Sequence, residues 1–586
     1  MCGIAGIVGA GDDATIDRMM RAIGHRGPDL MRIDRRGMVH LGAARLSFVD
    51  LNRGAQPLWS EDGKRCILFN GEIYNHAELR SELERRGRSF RTRSDTEVVL
   101  RLFEEFGTGC LGRLNGMFAF VVYDGESLFL ARDELGIKPL YFCHLAAERL
   151  FVFASEIKAL LKHPQVPRRL HQTAVSDWIA LGYPVGSDTF LAGIEALPAG
   201  HAMRVSVDRD LSVGPRIRYG ARHTRDSPLS LAEAEDAVER SLEAAVQSHL
   251  AADTEIGVTL SGGIDSTLIA LLAAGQRDAL LRTFTIGRCG TAAATADTEQ
   301  SAIVARRIGA CHRQVDISFD RFLDAVPDCI AATEFPATLS GVAFHVLCRD
   351  IGASLKGCLN GEGADELFGG YQEYVDRDYQ IGRLQAGIRR LKAAGLAASQ
   401  TALGAQARFA AATGGYLEAV FDFNLRDQLE RRHLDPIDKM AMASSVEMRV
   451  PYLDRGVVDL ATRLPVSYLV RQDLGIRKYL LRRIFLRRFG DVLPDIALRQ
   501  KETLPSSGRP LQDAFNRYCE TALPGDWRNR YAWGSLFDSA SELVMFELFR
   551  EIHIERGGDA RGISIREFVA GFDGAKMPAT AEAGAV

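Results

Sequence analysis

The sequence predicts two domains of different class: an α+β layered domain to about residue 205, and an α/β domain on a parallel sheet from about residue 230. Three observations carry this. The first half alternates short runs of Val, Ile, Phe and Tyr with turn residues and occasional helical stretches. The second half alternates single short strands with long helical segments, the rhythm of a parallel sheet with ligands at the carboxyl ends of its strands. A chain of 586 residues also exceeds what one hydrophobic core holds.

In chain order, "RCILFNGEIYN", "MFAFVVYDGESLFLARD" and "RLFVFASE" read as strands bounded by Gly, Asn and Asp, and "HAELRSELERRG" as a helix between them. "DRDLSVGPRIRYGARHTRDSP" is polar and aperiodic and reads as the linker, 206–229. "SLAEAEDAVERSLEAAVQSHL" reads as a helix capped by Ser230. There follow the strand "EIGVTL", a glycine turn, the helix "STLIALLAAG", the strand "LRTFTIG", the helix "EQSAIVARRIGA", and a further strand in "ASLKGCLNGEG". Beyond about 375 the pattern is mostly helical, and "GAKMPATAEAGAV" reads as a disordered tail. The expected division is a first domain 2–205, the linker, a second domain 230–540 and a C-terminal helical extension and tail 541–586.

Composition excludes several classes. A net charge of −4, with 46% apolar and 25% charged residues, gives no electrostatic case for nucleic acid or an anionic membrane. No apolar run approaches the ~20 residues of a membrane span, and Asp12, Asp13 and Asp17 occupy the place of a signal peptide's apolar stretch. Ten cysteines without a C-x-x-C pair indicate neither a zinc ribbon nor a disulfide framework. A cytoplasmic protein with reduced thiols is expected.

Two motifs carry chemistry. In Ser261-Gly262-Gly263-Ile264-Asp265-Ser266 a strand gives way to a helix through two glycines. The turn points successive N–H groups into one concavity at a helix N-terminus, a site for phosphate or pyrophosphate, and Asp265 suits a Mg²⁺ held against those oxygens. It lacks the Walker lysine pattern. Gly361-Glu362-Gly363-Ala364-Asp365-Glu366 places glycine-spaced carboxylates after a later strand, fit for a second Mg²⁺ ligand and a general base, or simply for a solvated acidic loop. Cys2 stands directly behind the initiator methionine. Removal of Met1 would join its thiol and an α-amine in one residue, an arrangement that activates a nucleophile; taken alone it also fits an accident of translation start.

The first glycine motif resembles the PP-loop of ATP pyrophosphatases. Together with "MCGIAGI", "HRGPD", "ARLSFVDL", "AQPL", "FNGEIYN", "RSDTEV", "LNGMFAFVVYD", "ARDELGIKPLY", "GEGADELFGGY", "DKMAMASSVEMRVPYLD" and "LRQKE", in that order, the chain resembles the glutamine-hydrolysing (class B) asparagine synthetase family to about residue 510. The resemblance implies an N-terminal-nucleophile (Ntn) glutaminase, a four-layer α/β/β/α sandwich, followed by an α/β ATP-pyrophosphatase domain. In the first, Cys2 attacks the glutamine side-chain amide while its α-amine moves the proton; reference pKa values of about 8.5 and about 7.7–8.0 make that exchange feasible. Asn70 and the N–H of Gly71 stabilise the oxyanion, Arg45 grips the glutamine carboxylate, and Glu72 and Asp95 face its ammonium. His25 is expected to be a structural loop residue. In the second domain Leu260, Ser261, Gly262, Gly263, Asp265, Ser266, Ile286 and Gly361 hold ATP, Asp265 and Asp365 hold Mg²⁺, Glu362 takes a proton and Lys478 neutralises phosphate. Asp438, Lys439, Glu447 and Arg449 either order the wall of that site or form a plain ion-pair network. The implied reaction adenylates a carboxylate, with L-aspartate the leading acceptor, and ammonia from glutamine displaces AMP. The implied partners are small molecules, with no nucleic acid and no membrane; a homodimer stays open.

The chain also departs from the family pattern. Leu339 stands where many members have an arginine that meets the carboxylate of aspartate, Ala343 where a proline falls, and Asn360 in place of the serine before Gly-Glu-Gly. "GRCGTAAATADTEQ" is poor in acidic residues ahead of Asp297 and Glu299. If aspartate is the acceptor, Arg349, Lys356 and Arg449 are the cations available to replace the arginine. The competing readings are an amidotransferase of the same mechanism acting on another carboxylic acid, and a silent regulatory paralogue; a β-lactam-forming relative fits poorly because Cys2 is retained.

Overall fold

The computed structural model describes residues 2–572 apart from 52, 209, 221–223, 277–278, 291–295, 412–414, 492, 500–508 and 532. The tail expected to be disordered and part of the acid-poor segment before Asp297 lie outside them.

The first half holds two six-stranded sheets whose paired strands run antiparallel. One places Cys2–Gly9 in its interior, between Leu150–Ala154 and Val39–Arg45. The other has Cys66–Ile73 beside the hairpin Gly116–Tyr123 and Ser127–Arg132. Successive residues of a strand point to opposite faces. In Cys66–Ile73, Cys66 and Leu68 pack between the sheets with Ile4, Val8, Leu41 and Val121, while Ile67, Phe69 and Ile73 face Val98, Val99 and Leu102. The last three belong to the helix Asp95–Phe106, which with His76–Arg85 covers the outside of this sheet. Asp13–Ala22 covers the other sheet through Ile16, Met19 and Met20. The result is the four-layer α/β/β/α sandwich. Because both faces of these strands are covered, their sequences read as continuous apolar runs. The same alternation puts Asn70 and Glu72 on the face of Leu68, toward the sheet that carries Cys2.

Two strands of this half, Leu30–Arg36 and Val39–Arg45, escaped the sequence reading, as did Ile217–Arg218, which pairs with His201–Ala202 inside the segment read as a linker.

The second half is built on a five-stranded parallel sheet in the order Cys311–Ile317, Arg282–Cys289, Ile256–Thr259, Gly357–Leu359, Glu447–Arg449. The chain begins at the central strand, winds outward to one edge, then returns to the other side of that strand. The order therefore reverses between Ile256–Thr259 and Gly357–Leu359, the place where open α/β sheets bind ligands. Both glycine motifs leave the carboxyl ends of these two strands. The helix Leu231–Leu250 precedes the sheet and begins with a capping box between Ser230 and Glu233. Farther on, the helix Ala540–Arg550 packs back on the first half, Phe546 stacking on Trp178 with ring centroids 5.6 Å apart.

Two candidate active sites

The first site forms between the two sheets of the sandwich. Antiparallel register sets Cys2 opposite Arg45, and the Cys2 N–H donates to Asn70 Oδ1 at 3.1 Å. Asn70 Nδ2 is buried and has no hydrogen-bond partner among the described residues, so the side chain accepts from the nucleophile's backbone and leaves a donor over in the site. Gly71 admits no side chain, since a Cβ there would lie 2.2 Å from the Met117 carbonyl oxygen. Gln56, in the "AQPL" stretch, was assigned no role from sequence. Its Nε2 lies 3.4 Å from Cys2 Sγ, while its Oε1 accepts from the Phe69 N–H at 2.7 Å. Burial pushes the Cys2 thiol up from its ordinary value, opposed by the terminal amine and Arg45.

Arg45 donates to the carbonyls of Val49 at 2.9 Å and Asp50 at 2.8 Å, so its guanidinium is braced by the following loop. Asp95 opens the helix that Ser94 caps, its carboxylate accepting from the N–H groups of Thr96 at 2.8 Å and Ile73 at 3.1 Å. The Glu72 carboxylate is buried, and Oε2 pairs with Arg449 of the second half at 3.1 Å. His25 sits in a 3₁₀ turn with Nε2 3.1 Å from Glu156, as a structural residue would.

The second site forms at the switch point. Ser266 Oγ accepts from the Ser261 N–H at 3.0 Å and closes the turn before the helix Ile264–Gly275. Gly262 has φ +76°, and a Cβ there would lie 2.6 Å from the Asp297 carbonyl oxygen, so only glycine fits. Gly361 faces this loop: a Cβ there would lie 3.2 Å from Asp265 Cβ and from the Ser266 nitrogen. Leu260 and Ile286 sit at the same end of adjacent strands, Leu260 donating to the Phe284 carbonyl at 2.8 Å.

Lys478 enters from the far side, its ammonium against Asp265 Oδ2 and 2.6 Å from Asp365 Oδ1. Two carboxylates from different loops thus converge on one cation, and Asp265 Oδ1 is buried without a hydrogen-bond partner. An ammonium held by two aspartates occupies the kind of place a divalent ion takes beside phosphate oxygens, so the residues fit Mg²⁺.

Glu362 turns the other way. Its N–H donates to Asn360 Oδ1 at 2.8 Å, and its carboxylate meets His433 Nδ1 at 3.1 Å. Glu366 of the same acidic motif clusters behind it with His433 and Tyr371, to which sequence reasoning gave no role. Burial pushes the Glu366 carboxyl up to about 7, opposed by His433.

The three cations proposed for an acceptor carboxylate are all engaged elsewhere. Arg349 lies 3.6 Å from Asp328, both well exposed; Lys356 pairs with Asp29 at 2.7 Å; Arg449 is fully buried between Glu447 and Glu72. Leu339 opens the helix Leu339–Gly352. Asp438, Lys439, Glu447 and Arg449 form an ion-pair network that bridges the two halves. Asp438 takes Arg26 at 2.8 Å and Lys138 at 2.9 Å, both from the first half. Lys439 takes Glu334 at 2.9 Å. Arg26 also donates to the Cys2 carbonyl at 3.3 Å, which links the nucleophile's backbone to the second half.

A buried cysteine beside an unpartnered amide donor in an α/β/β/α sandwich, followed by a PP-loop at the switch point of a parallel sheet, defines a two-domain amide ligase that takes nitrogen from glutamine. Comparison with known proteins agrees. A glutamine amidotransferase domain model matches residues 1–212, and an asparagine synthase model residues 237–550. Relatives include glutamine-hydrolyzing asparagine synthetase 3 of Bacillus subtilis, 30% identical over 87% of this chain and 88% of that protein. A putative asparagine synthetase of Mycobacterium tuberculosis is 33% identical over 82% of each chain. The chain belongs to the asparagine synthase family, and its enzyme class is carbon–nitrogen ligase with glutamine as amide donor. No helix among the described residues is long and apolar enough to cross a membrane.

Proposed function

We propose that the chain uses ATP to adenylate a carboxylic acid and displaces AMP with ammonia released from L-glutamine, L-aspartate being the leading acceptor and L-asparagine the product. The observation that carries this reading is the convergence of Asp265, Asp365 and Lys478 on the glycine loop at the switch point. Asp265 and Asp365 would hold Mg²⁺, which supplies charge neutralisation for the departing pyrophosphate, and the loop N–H groups hold the phosphates. Lys478 stands ready to follow the negative charge that develops on the leaving group. In the first domain Cys2 Sγ attacks the glutamine amide carbon, and the α-amine freed by loss of Met1 takes the thiol proton and delivers it to the leaving ammonia. Asn70 Nδ2 and the Gly71 N–H receive the oxyanion, a contribution of roughly 3 kcal/mol per donor. Water then releases glutamate from the thioester. Glu362 accepts the proton that ammonia sheds in the second domain. A shielded passage between the sites keeps the ammonia unprotonated.

A second reading keeps this mechanism with another carboxylic acid, in secondary-metabolite or surface-sugar biosynthesis. One observation favours it: Lys356 is paired with Asp29, Arg449 is buried between two glutamates, and Arg349 lies at the surface, more than half exposed. The test is a panel of carboxylic acids with ATP, Mg²⁺ and ammonium, scored by pyrophosphate release and product mass. With aspartate as substrate, succinate and β-alanine each lose on the order of 10²-fold or more in kcat/KM, because polar partners are left unsatisfied. Aspartate giving no asparagine while another acid turns over establishes the second reading.

A further inference from the structure

The Glu362 carboxylate has one side-chain partner among the described residues, and it is neither a phosphate-loop group nor a lysine. It is His433, the penultimate residue of the π-helical segment Asn424–Leu434. Nδ1 lies 3.1 Å from Glu362 Oε1, and Nε2 lies 3.6 Å from Glu366 Oε1. Tyr371 locks the far side: its hydroxyl donates to Glu366 Oε1 at 2.5 Å, stands 3.4 Å from Nε2, and its ring stacks on the imidazole. The ligand atoms of Glu362, Glu366 and His433 lie within 4.8 Å of one another. Nδ1 thus meets the Glu362 carboxylate and Nε2 the Tyr371 hydroxyl, with Glu366 beside it, which makes the group a clamp on the imidazole rather than a cation cage.

We propose that His433 is a positioning residue for amide formation: clamped by Glu366 and Tyr371, its imidazole holds and orients the Glu362 carboxylate toward the activated acceptor. The inference rests on the reading of Glu362 as the proton acceptor of the synthetase site. In the step it serves, a bond forms between the ammonia nitrogen and the acyl carbon. The bond from that carbon to the AMP oxygen breaks, AMP leaves with the electron pair, and one nitrogen proton passes to Glu362. A carboxylate free to rotate would meet that nitrogen in few of its orientations.

The charged groups around the ring are Glu362 and Glu366 in front, with Asp365 behind Glu366, Tyr371 over its face, and Arg432 on its own helix. Burial works against a charged imidazole, but the carboxylates outweigh it and hold His433 above its ordinary value. A cationic ring beside Glu362 favours the anionic base.

The experiment compares His433→Asn, whose amide nitrogen falls near Nδ1, with His433→Gln, whose amide nitrogen falls near Nε2. Three activities are measured on the full chain: ammonia-dependent synthesis from pH 6 to 9, acceptor-dependent exchange of pyrophosphate into ATP, and glutamine hydrolysis. The acceptor is whichever acid the panel above identifies. H433Q is expected to lose on the order of 10²-fold in kcat for synthesis, while exchange and glutaminase stay within about twofold. H433N, which keeps a donor to Glu362, recovers part of the loss. Parallel loss of all three activities in both variants assigns His433 a structural role and overturns the proposal, as does an H433Q profile that matches the parent. Glu362→Gln separates this inference from its foundation. If E362Q abolishes synthesis and H433Q does not, only the inference falls; if E362Q keeps synthesis, the reading of Glu362 falls with it.

Discussion

Asn70 shows how much one side chain decides. Strand alternation turns it toward Cys2, its oxygen is used on the Cys2 N–H, and its nitrogen is left as a buried donor without a partner. A buried amide donor without a partner costs free energy unless the site fills it, so Asn70→Ala is expected to lower kcat of glutamine hydrolysis by about 10²–10³-fold, and to cost about 1–3 kcal/mol of stability by removing the acceptor of the Cys2 N–H. Steady-state glutamate release measures it, and an unchanged kcat removes Asn70 from the oxyanion site. Cys2→Ala is expected to abolish hydrolysis yet leave synthesis running on ammonium salts. Asp265→Ala is expected to do the converse, stopping pyrophosphate release while glutaminase continues; ADP as a stoichiometric product would contradict the site. At this scale local motifs pointed to Cys2, Asp265 and Asp365, while Asn70 and Lys478 came from the family resemblance. The sequence was silent where distant segments meet. Nothing near residue 433 marks a histidine that will lie against Glu362, and nothing near Glu72 marks its pairing with Arg449.

Among the elements, the phosphate loop makes the sharpest demand on sequence. Gly262 combines φ +76° with a neighbouring carbonyl 2.6 Å from any Cβ. Gly262→Ala must therefore shift either the loop or the helix that carries Asp297, and is expected to abolish adenylation while glutamine hydrolysis proceeds at the parent rate. Parallel assays on the purified variant check it; normal pyrophosphate release would show that the turn is not the phosphate cradle. The strands flanking this loop were readable because they are short apolar runs bounded by glycine. Cys311–Ile317, "CHRQVDI", was not, because as an edge strand it is largely exposed and carries polar residues. Glu447–Arg449 was missed because its Glu447 and Arg449 are buried as a mutual ion pair, which reads as a charged surface segment. Leu30–Arg36 is half-exposed and carries four charged residues among its seven, so its pairing with Val39–Arg45 comes from register alone.

The whole molecule is held as one body by charge as well as apolar packing. Arg26 and Lys138 converge on Asp438, and Arg449 joins Glu72 to Glu447, all nearly or fully buried. Removing one member of a buried pair leaves an uncompensated charge. Arg449→Met is accordingly expected to destabilise by about 3–5 kcal/mol, read as a lower denaturation midpoint; an unchanged midpoint would mean that the network contributes no net stability. Acid acts through different groups. Burial holds His345 down to about 4 and His553 down to about 3. The unfolded chain binds protons at these positions near pH 6.5 while the folded chain does not, so stability is full above that pH and falls as pH drops toward the folded values. The loss is on the order of 2 kcal/mol per histidine at pH 5. Thermal denaturation at pH 7.5 and 5 measures it, and His553→Gln should flatten the slope if the assignment holds.

The central claim is that one chain passes nitrogen from a cysteine site to an ATP site. It is tested most directly with glutamine labelled with ¹⁵N at the side-chain amide, supplied with ATP, Mg²⁺, the acceptor acid and unlabelled ammonium at a concentration that alone supports less than about a tenth of the glutamine-dependent rate. The account predicts that the product amide retains the ¹⁵N, with AMP and pyrophosphate formed in equal amounts. Product whose label is diluted to that of the surrounding ammonium, or formation of ADP, would contradict it.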